Sequence, residues 1–347
     1  MDRADRLLPI FAQYDIDAII VTDRKNVLYF SSFSGSNGYL VVTKTQKILV
    51  TDFRYTSQAK IQCPNFQIAD MIDFKIENVI DANARAGFEN KTISYSEYCN
   101  FSSKIKQLVP IDFALTKIRS IKDSEEIKNI SQAAQIADNA FSHITEFIRE
   151  GMTEVEVAFE LEMYMKKNGA SSLSFDSIVA SGKNGAMPHA EPSDKKLTNG
   201  DLVVMDFGCV YNGYCSDMTR TVAIGDISEQ KLQVYNTVLK VQKECLDMAK
   251  PGAKCSDIHN HSFSRLDSIY KNCYGHGLGH GVGLEIHELP NLNSKSDYVL
   301  QNGNVVTIEP GVYIENLCGV RIEDLVVITD DGCKILSNST KELIKIK

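Results

Sequence analysis

The stretch Leu197-Thr-Asn-Gly-Asp-Leu-Val-Val-Met-Asp-Phe-Gly208 returns as Leu300-Gln-Asn-Gly-Asn-Val-Val-Thr-Ile-Glu-Pro-Gly311. The copies keep a constant offset of 103 positions (197 to 300), so Asp206 falls on Glu309. Each runs into a second strand-like apolar segment with one more acid, Asp217 in the first and Glu323 in the second. Self-similarity of this length marks a duplicated structural unit. The two units bring four carboxylates towards one place. Like charges gathered away from water need cations to neutralise them, so the repeat predicts a metal centre.

Strand pairing sharpens that expectation. Asn212-Gly213 is a strong signal for a two-residue hairpin turn, which sets position 206 opposite 219 and 208 opposite 217. Asp217 is then a diagonal neighbour of Asp206 on the same face, roughly 7–8 Å away at the backbone, so both carboxylates can reach one metal pair. In the second copy a turn near Asn316 sets Glu309 opposite Glu323, with a bulge expected at Pro310-Gly311. A fifth ligand candidate is His280, in Gly275-His-Gly-Leu-Gly-His-Gly-Val-Gly283, where alternate glycines allow close approach to a crowded centre. One imidazole among four carboxylates is an oxygen-rich set that favours Mn²⁺ and tolerates Co²⁺, Zn²⁺ or Fe²⁺. Four negative ligands balance two divalent ions, with room for a bridging hydroxide.

The rest of the chain bounds the problem. At 347 residues it has room for two domains with sizeable cores. A net charge of −8 without a Lys/Arg block argues against nucleic acid as a partner. No run reaches membrane-spanning length, and the segment after Met1 is too short and polar for a signal peptide, so the cytoplasm is expected. The 9 cysteines contain no Cys-x-x-Cys pair and read as reduced, with Cys209 and Cys245 buried.

Short strands and helices alternate up to about residue 115, with strands over Asp17–Thr22, Gly38–Thr43 and Lys47–Thr51. The loop Ser34-Gly-Ser-Asn-Gly38 reads as a turn, since no helix follows it to make a phosphate site. Asp123-Ser-Glu-Glu126 and Thr153-Glu-Val-Glu156 are capping boxes opening two helices, the first amphipathic and ending near Gly151. A third helix spans about Ser228–Lys250, and Ser256 is expected to cap a fourth. The order helix, helix, strands thus occurs twice. We place the domains at 1–117 and 118–347.

From about residue 118 onward the chain resembles the methionine aminopeptidase, prolidase and aminopeptidase P family. The matching motifs are Val204-Met-Asp-Phe-Gly208, Thr307-Ile-Glu-Pro-Gly-Val-Tyr313 and Gly319-Val-Arg-Ile-Glu-Asp324. The resemblance implies an α+β chain whose catalytic domain has the pita-bread fold. It also implies two divalent ions, one held by Asp206 and the other by His280 and Glu309, with Asp217 and Glu323 bridging. His189, in Ala186-Met-Pro-His-Ala190, matches the residue that contacts the scissile peptide, and His287 matches the donor to the substrate carbonyl. Glu309 matches the proton shuttle. His276 and Arg321 are similar to a pair found in the proline-specific members and absent from methionine aminopeptidases, with Arg321 a candidate for a dipeptide's free carboxylate. Creatinase shares the fold without the metal acids.

The implied activity is attack of a metal-bridged hydroxide on the first peptide bond of short peptides with proline at position 2, by a homodimer. Methionine aminopeptidase and a non-catalytic peptide-binding protein on the same fold are the alternatives. Dipeptidase and aminopeptidase P stay open: Gly279-His-Gly-Val-Gly-Leu-Glu-Ile-His287 leans to the first, Phe33-Ser-Gly-Ser-Asn-Gly38 to the second. The N-terminal part resembles the smaller substrate-covering domain of the proline-specific members through Thr51-Asp-Phe-Arg-Tyr55. His143, His259 and His261 match nothing and are expected on helix surfaces.

Overall fold

The structure is a computed structural model and describes residues 2–347. The chain separates between Arg119 and Ser120 into two compact units. In the first, β1 (Ala18–Val21), β2 (Gly38–Thr43), β3 (Lys47–Thr51), β4 (Gln67–Asp70), β5 (Arg85–Phe88) and β6 (Gln107–Pro110) make one sheet in the order 4-3-2-1-5-6. β1 runs antiparallel to β2 and parallel to β5. Its four residues are all buried, as a continuous Ala-Ile-Ile-Val run requires of a central strand. Helices α1 (Leu8–Tyr14), α2 (Arg24–Ser31), α3 (Thr56–Gln62) and α4 (Tyr95–Ser102) alternate with the strands, and α5 (Asp112–Ser120) closes the run. Ser34–Gly38 leads directly into β2 with no helix behind it, a connection and not a phosphate cradle.

The second unit is built twice over. Its first half opens with α6 (Ser124–Phe147) and α7 (Glu154–Lys167), both started by the capping boxes of Asp123 and Thr153. After β7 (Ser172–Leu173) and β8 (Ile178–Ser181) come β9 (Leu202–Phe207), β10 (Cys209–Tyr211), β11 (Tyr214–Cys215) and β12 (Met218–Ile224). The second half has α8 (Glu229–Met248) and α9 (Cys255–Asp267), then β13 (Gly279–Gly281), β14 (Glu288–Leu292), β15 (Val305–Ile308), β16 (Gly311–Ile314), β17 (Cys318–Arg321) and β18 (Asp324–Ile328). β8-β9-β12 and β13-β15-β18 are corresponding antiparallel triplets. Gly200 and Gly303, matched by the repeat, take the same left-handed backbone, with φ of 89° and 86°. Each sheet packs on its own helix pair. Phe141, Ile144, Val157 and Leu161 meet Val203 and Met205, whereas Val238, Val241, Ile258 and Leu266 meet Val306 and Val326.

Both hairpins keep the expected register. Asp206 pairs with Thr219 and Phe207 with Met218, and Asn212-Gly213 has positive φ at both residues, as a primed hairpin turn demands. In the second copy Ile308 faces Asp324 and Gly311 faces Arg321, so the register is unchanged across Glu309-Pro310. The bulge expected there is absent. Pro310, lacking an N–H, interrupts the ladder without inserting a residue.

Three local expectations also need correction. α6 ends at Phe147, where Ile148 turns extended, short of Gly151. Ser256 lies inside α9, whose N-cap is Lys254, with no side-chain cap bond. His259 is buried on the inner face of α9, where Nδ1 accepts the Leu278 N–H at 3.2 Å. His143 and His261 do stand near surfaces, paired with Glu160 and Glu244. No helix among the described residues is long and apolar enough to cross a membrane.

The halves are joined along a polar seam. Glu323 N–H donates to the Thr219 carbonyl at 3.1 Å, and Arg321 N–H to Thr221 Oγ1 at 3.3 Å. Between them Arg220, 1% exposed, donates to Asp324 Oδ1 at 2.8 Å, while Oδ2 of the fully buried Asp324 accepts from Gln242 and Lys341. Removing one partner of a buried pair strands the other charge. Asp324→Ala should therefore cost about 3–5 kcal/mol in chemical unfolding. Lys345→Ala, which breaks an exposed pair with Asp226, should cost under about 1 kcal/mol.

Candidate metal centre

Strand alternation delivers the donors. Asp206 lies next to the end of β9, and Asp217 precedes β12 on the same hairpin. Glu309 follows β15, and Glu323 sits between β17 and β18. His280 is the middle residue of β13, wedged between β14 and β15. A Cβ on Gly279 would lie 2.0 Å from the Thr307 carbonyl oxygen, and one on Gly281 2.2 Å from that of Leu289. Only glycine on both sides lets the imidazole reach this position.

Donor atoms of Asp217, His280 and Glu323 all lie within 4.8 Å of one another. His280 Nε2 is 3.5 Å from Asp217 Oδ2 and 3.4 Å from Glu309 Oε1. Burial, then the neighbouring His287, lowers the His280 pKa to about 4, so these contacts are not ion pairs at neutral pH. With Nδ1–H donating to the Gly281 carbonyl at 3.2 Å, the Nε2 lone pair faces the acids, the form a metal ligand needs.

The carboxylates are the strained partners. Burial, followed by repulsion from Glu323, Asp206 and Glu309, raises Asp217 well above the usual carboxylate range. Glu323 is raised likewise, by burial and then by Glu309 and Asp206. Burial and Asp206 push Glu309 up to about 8 against the opposing Arg321. Asp206 Oδ1 is buried with no hydrogen-bond partner. An oxygen-rich donor set, crowded, dehydrated and with an orphaned acceptor, fits divalent cations.

A second layer aims these groups. Thr219 Oγ1 donates to Glu323 Oε2 at 2.7 Å, and Thr307 Oγ1 to Glu309 Oε1 at 3.1 Å. Arg321 donates to Asp206 Oδ2 from Nη2, to Thr219 Oγ1 from Nε at 3.0 Å, and from Nη1 to Tyr313 Oη at 2.7 Å and the Pro188 carbonyl at 3.3 Å. Four of its five guanidinium N–H groups thus serve protein acceptors, which leaves one Nη2–H at the cleft for a substrate carboxylate. His276 Nδ1–H donates to the Gly277 carbonyl at 2.7 Å, leaving Nε2 to accept from Tyr313 Oη at 3.0 Å. Burial, then Arg321, lowers His276 to about 4, in keeping with that acceptor role. Thr219, Thr307 and Tyr313 escaped the sequence reading. Thr307 and Tyr313 lie two and four residues from Glu309, so alternation along the strand was the signal that pointed to them.

Asp206, Asp217, His276, His280, Glu309, Arg321 and Glu323 line a cleft of about 610 Å³, whose apolar lining includes Phe175, Ile178, Pro188 and Ile286. His189 and His287 also line it, both exposed, and the His287 ring centroid is 4.3 Å from that of His280.

Residues 128–330 match the profile of metallopeptidase family M24, and residues 3–121 that of the creatinase/prolidase N-terminal domain. The chain belongs to family M24. Its M24 unit has the pita-bread fold, in an α+β chain with the smaller domain in front. A Xaa-Pro dipeptidase of Pyrococcus furiosus is 39% identical over 99% of both chains. Among solved structures, a Xaa-Pro dipeptidase from Bacillus anthracis superposes with a TM-score of 0.95 at 40% identity, over 99% of each chain. An X-Pro aminopeptidase from Thermotoga maritima gives a TM-score of 0.90 at 35% identity, over 99% of this chain and 100% of that one. M24 membership implies dependence on divalent metal.

Ligation should stabilise the folded state by about 2.7 kcal/mol at one hundred times the dissociation constant. Mn²⁺ added to chelator-treated protein is therefore expected to raise the melting temperature, with no such rise for Asp217→Asn. Equal shifts in the two proteins would show that the ion binds elsewhere.

Proposed function

We propose that this M24 peptidase hydrolyses the bond between a first residue and a proline in second position of short peptides. Asp206, Asp217, His280, Glu309 and Glu323 would hold its two divalent cations, Mn²⁺ by preference. The reading rests on one observation above all: three buried carboxylates, a half-buried fourth and an imidazole line a single cleft. The P. furiosus and B. anthracis relatives are both Xaa-Pro dipeptidases, which supports the substrate class.

Cations so held make hydroxide available near neutral pH and polarise a carbonyl. The side chains then have separable tasks. Glu309 Oε1 accepts from Thr307, so Oε2 carries the proton that ends on the leaving proline nitrogen. His287 donates to the substrate carbonyl oxygen as charge grows there. His189, which lines the same cleft, contacts the scissile peptide. The chain Asp206–Arg321–Tyr313–His276 is a continuous hydrogen-bond relay that fixes Asp206. Proline suits this cleft because its tertiary amide brings no N–H that must be satisfied, and its ring can lie on the apolar wall. The same reading takes the protein as a cytoplasmic homodimer.

The test is cleavage of Ala-Pro, Ala-Pro-Ala and Met-Ala-Ser in Mn²⁺ buffer. We expect the proline peptides to be cut and Met-Ala-Ser spared, and the ratio of the first two separates dipeptidase from aminopeptidase action. Cleavage of Met-Ala-Ser alone would replace this reading with methionine aminopeptidase, and no cleavage by metal-loaded protein would favour a binding role. His287→Ala should lower kcat by about 10²–10³-fold at unchanged metal content.

A further inference from the structure

Outside the metal cluster, one buried carboxylate gathers more hydrogen bonds than its helix needs. Glu154 is the first residue of α7 and fully buried, yet the helix cap is supplied by Thr153. Its Oε1 accepts from Ser181 N at 2.7 Å and Ser181 Oγ at 2.8 Å. Its Oε2 accepts from Ser193 N at 3.2 Å and Ser193 Oγ at 2.6 Å. Asn184 Nδ2 donates to both oxygens, at 3.2 and 3.0 Å. Ser181 ends β8 and Ser193 stands at the far side of the intervening segment, so one carboxylate clasps both stems of the loop 182–192.

That loop carries His189. Among the described residues no hydrogen bond fixes the His189 ring itself, which is exposed to the cleft. Its position is therefore inherited from the loop backbone. Two further points hold that backbone: the Pro188 carbonyl accepts from Arg321, and Gly185 lies so close to Gly319 that a Cβ on Gly319 would fall 1.7 Å from the Gly185 oxygen. Both of these are near the tip. Without Glu154 five donor groups would lose their acceptor, and the stems would be left with the ties in which Lys195 Nζ donates to Ser181 Oγ at 2.7 Å and Asn184 Nδ2 to Ser193 Oγ at 3.2 Å.

We infer that Glu154 is a positioning residue: by closing the stems of loop 182–192 it sets His189 at the scissile peptide, without touching substrate or metal. The inference rests on the proposed role of His189. Its energetic logic is that a displacement near 1 Å in a reacting geometry costs on the order of a hundredfold in rate.

The experiment is a double-mutant cycle in kcat/KM on Ala-Pro with Mn²⁺-loaded protein, joined to hydrogen exchange. Glu154→Gln keeps the shape but turns one acceptor into a donor facing donors. We expect it to lower kcat/KM by about 10- to 100-fold alone and less than about 2-fold in a His189→Ala background, since groups acting as a unit are not additive. Metal content should stay at the wild-type value, and amides of 182–192 should exchange faster while those of β9 do not. Ser193→Ala, a milder removal of one donor, should give a smaller loss with the same dependence on His189, and serves if Glu154→Gln does not fold. Equal losses in both backgrounds, or unchanged exchange in the loop, would overturn the inference. Failure of wild-type protein to cut Ala-Pro would instead overturn the proposed substrate, and the exchange result would still judge the loop.

Discussion

The crowding of four acids into a largely dehydrated cluster is the constraint on which the rest of the second unit turns. Asp206, Asp217, Glu309 and Glu323 lie close enough, and far enough from water, that three of them are raised out of the usual carboxylate range. A fold with no use for them would shed such residues to the surface, where a charge costs nothing. Here each acid is instead fixed by a strand, and two receive a threonine hydroxyl that fixes the oxygen's direction. Order imposed on like charges is unfavourable until cations arrive, and at that point the same order becomes preorganised affinity.

Duplication explains how one chain can deliver this arrangement. Each half builds a sheet on a helix pair, ends its central strand in an acid, and turns back through a hairpin with a second acid. The seam between halves then decides whether the two pairs meet. Arg220 and Asp324 lie within it, each next to a residue of the centre, Thr219 and Glu323 respectively. The fold and the site therefore share their most buried polar contacts. The histidines add asymmetry: His280 rises from a strand of the second half, whereas His189 belongs to a loop of the first, tied down by Glu154.

What could be read from the amino-acid order was whatever depends on local or periodic information. The offset repeat, the Asn212-Gly213 register and the two capping boxes are short-range signals, and the structure carries all of them. The convergence of the acids followed from charge balance joined to a family resemblance. Contacts between residues far apart in sequence were not legible. Nothing near Arg321 announced that its guanidinium would donate to Asp206, Tyr313, Thr219 and Pro188. His259 looked like any polar residue on an amphipathic helix, yet it faces inward to meet the Leu278 N–H. Glu154 carried no signal inside the capping box Thr153-Glu-Val-Glu156, because the donors of its six hydrogen bonds lie at residues 181, 184 and 193. At Pro310 a sound local rule misfired, since the ladder could drop a bond without shifting register.

The most direct measurement of the central claim is anomalous diffraction at the manganese edge from crystals grown with Mn²⁺. The account predicts two peaks in the second unit, one in contact with Asp206 and the other with His280 and Glu309, with Asp217 and Glu323 touching both. Peaks elsewhere, or Asp206 and Glu309 turned into separate solvent regions, would contradict it.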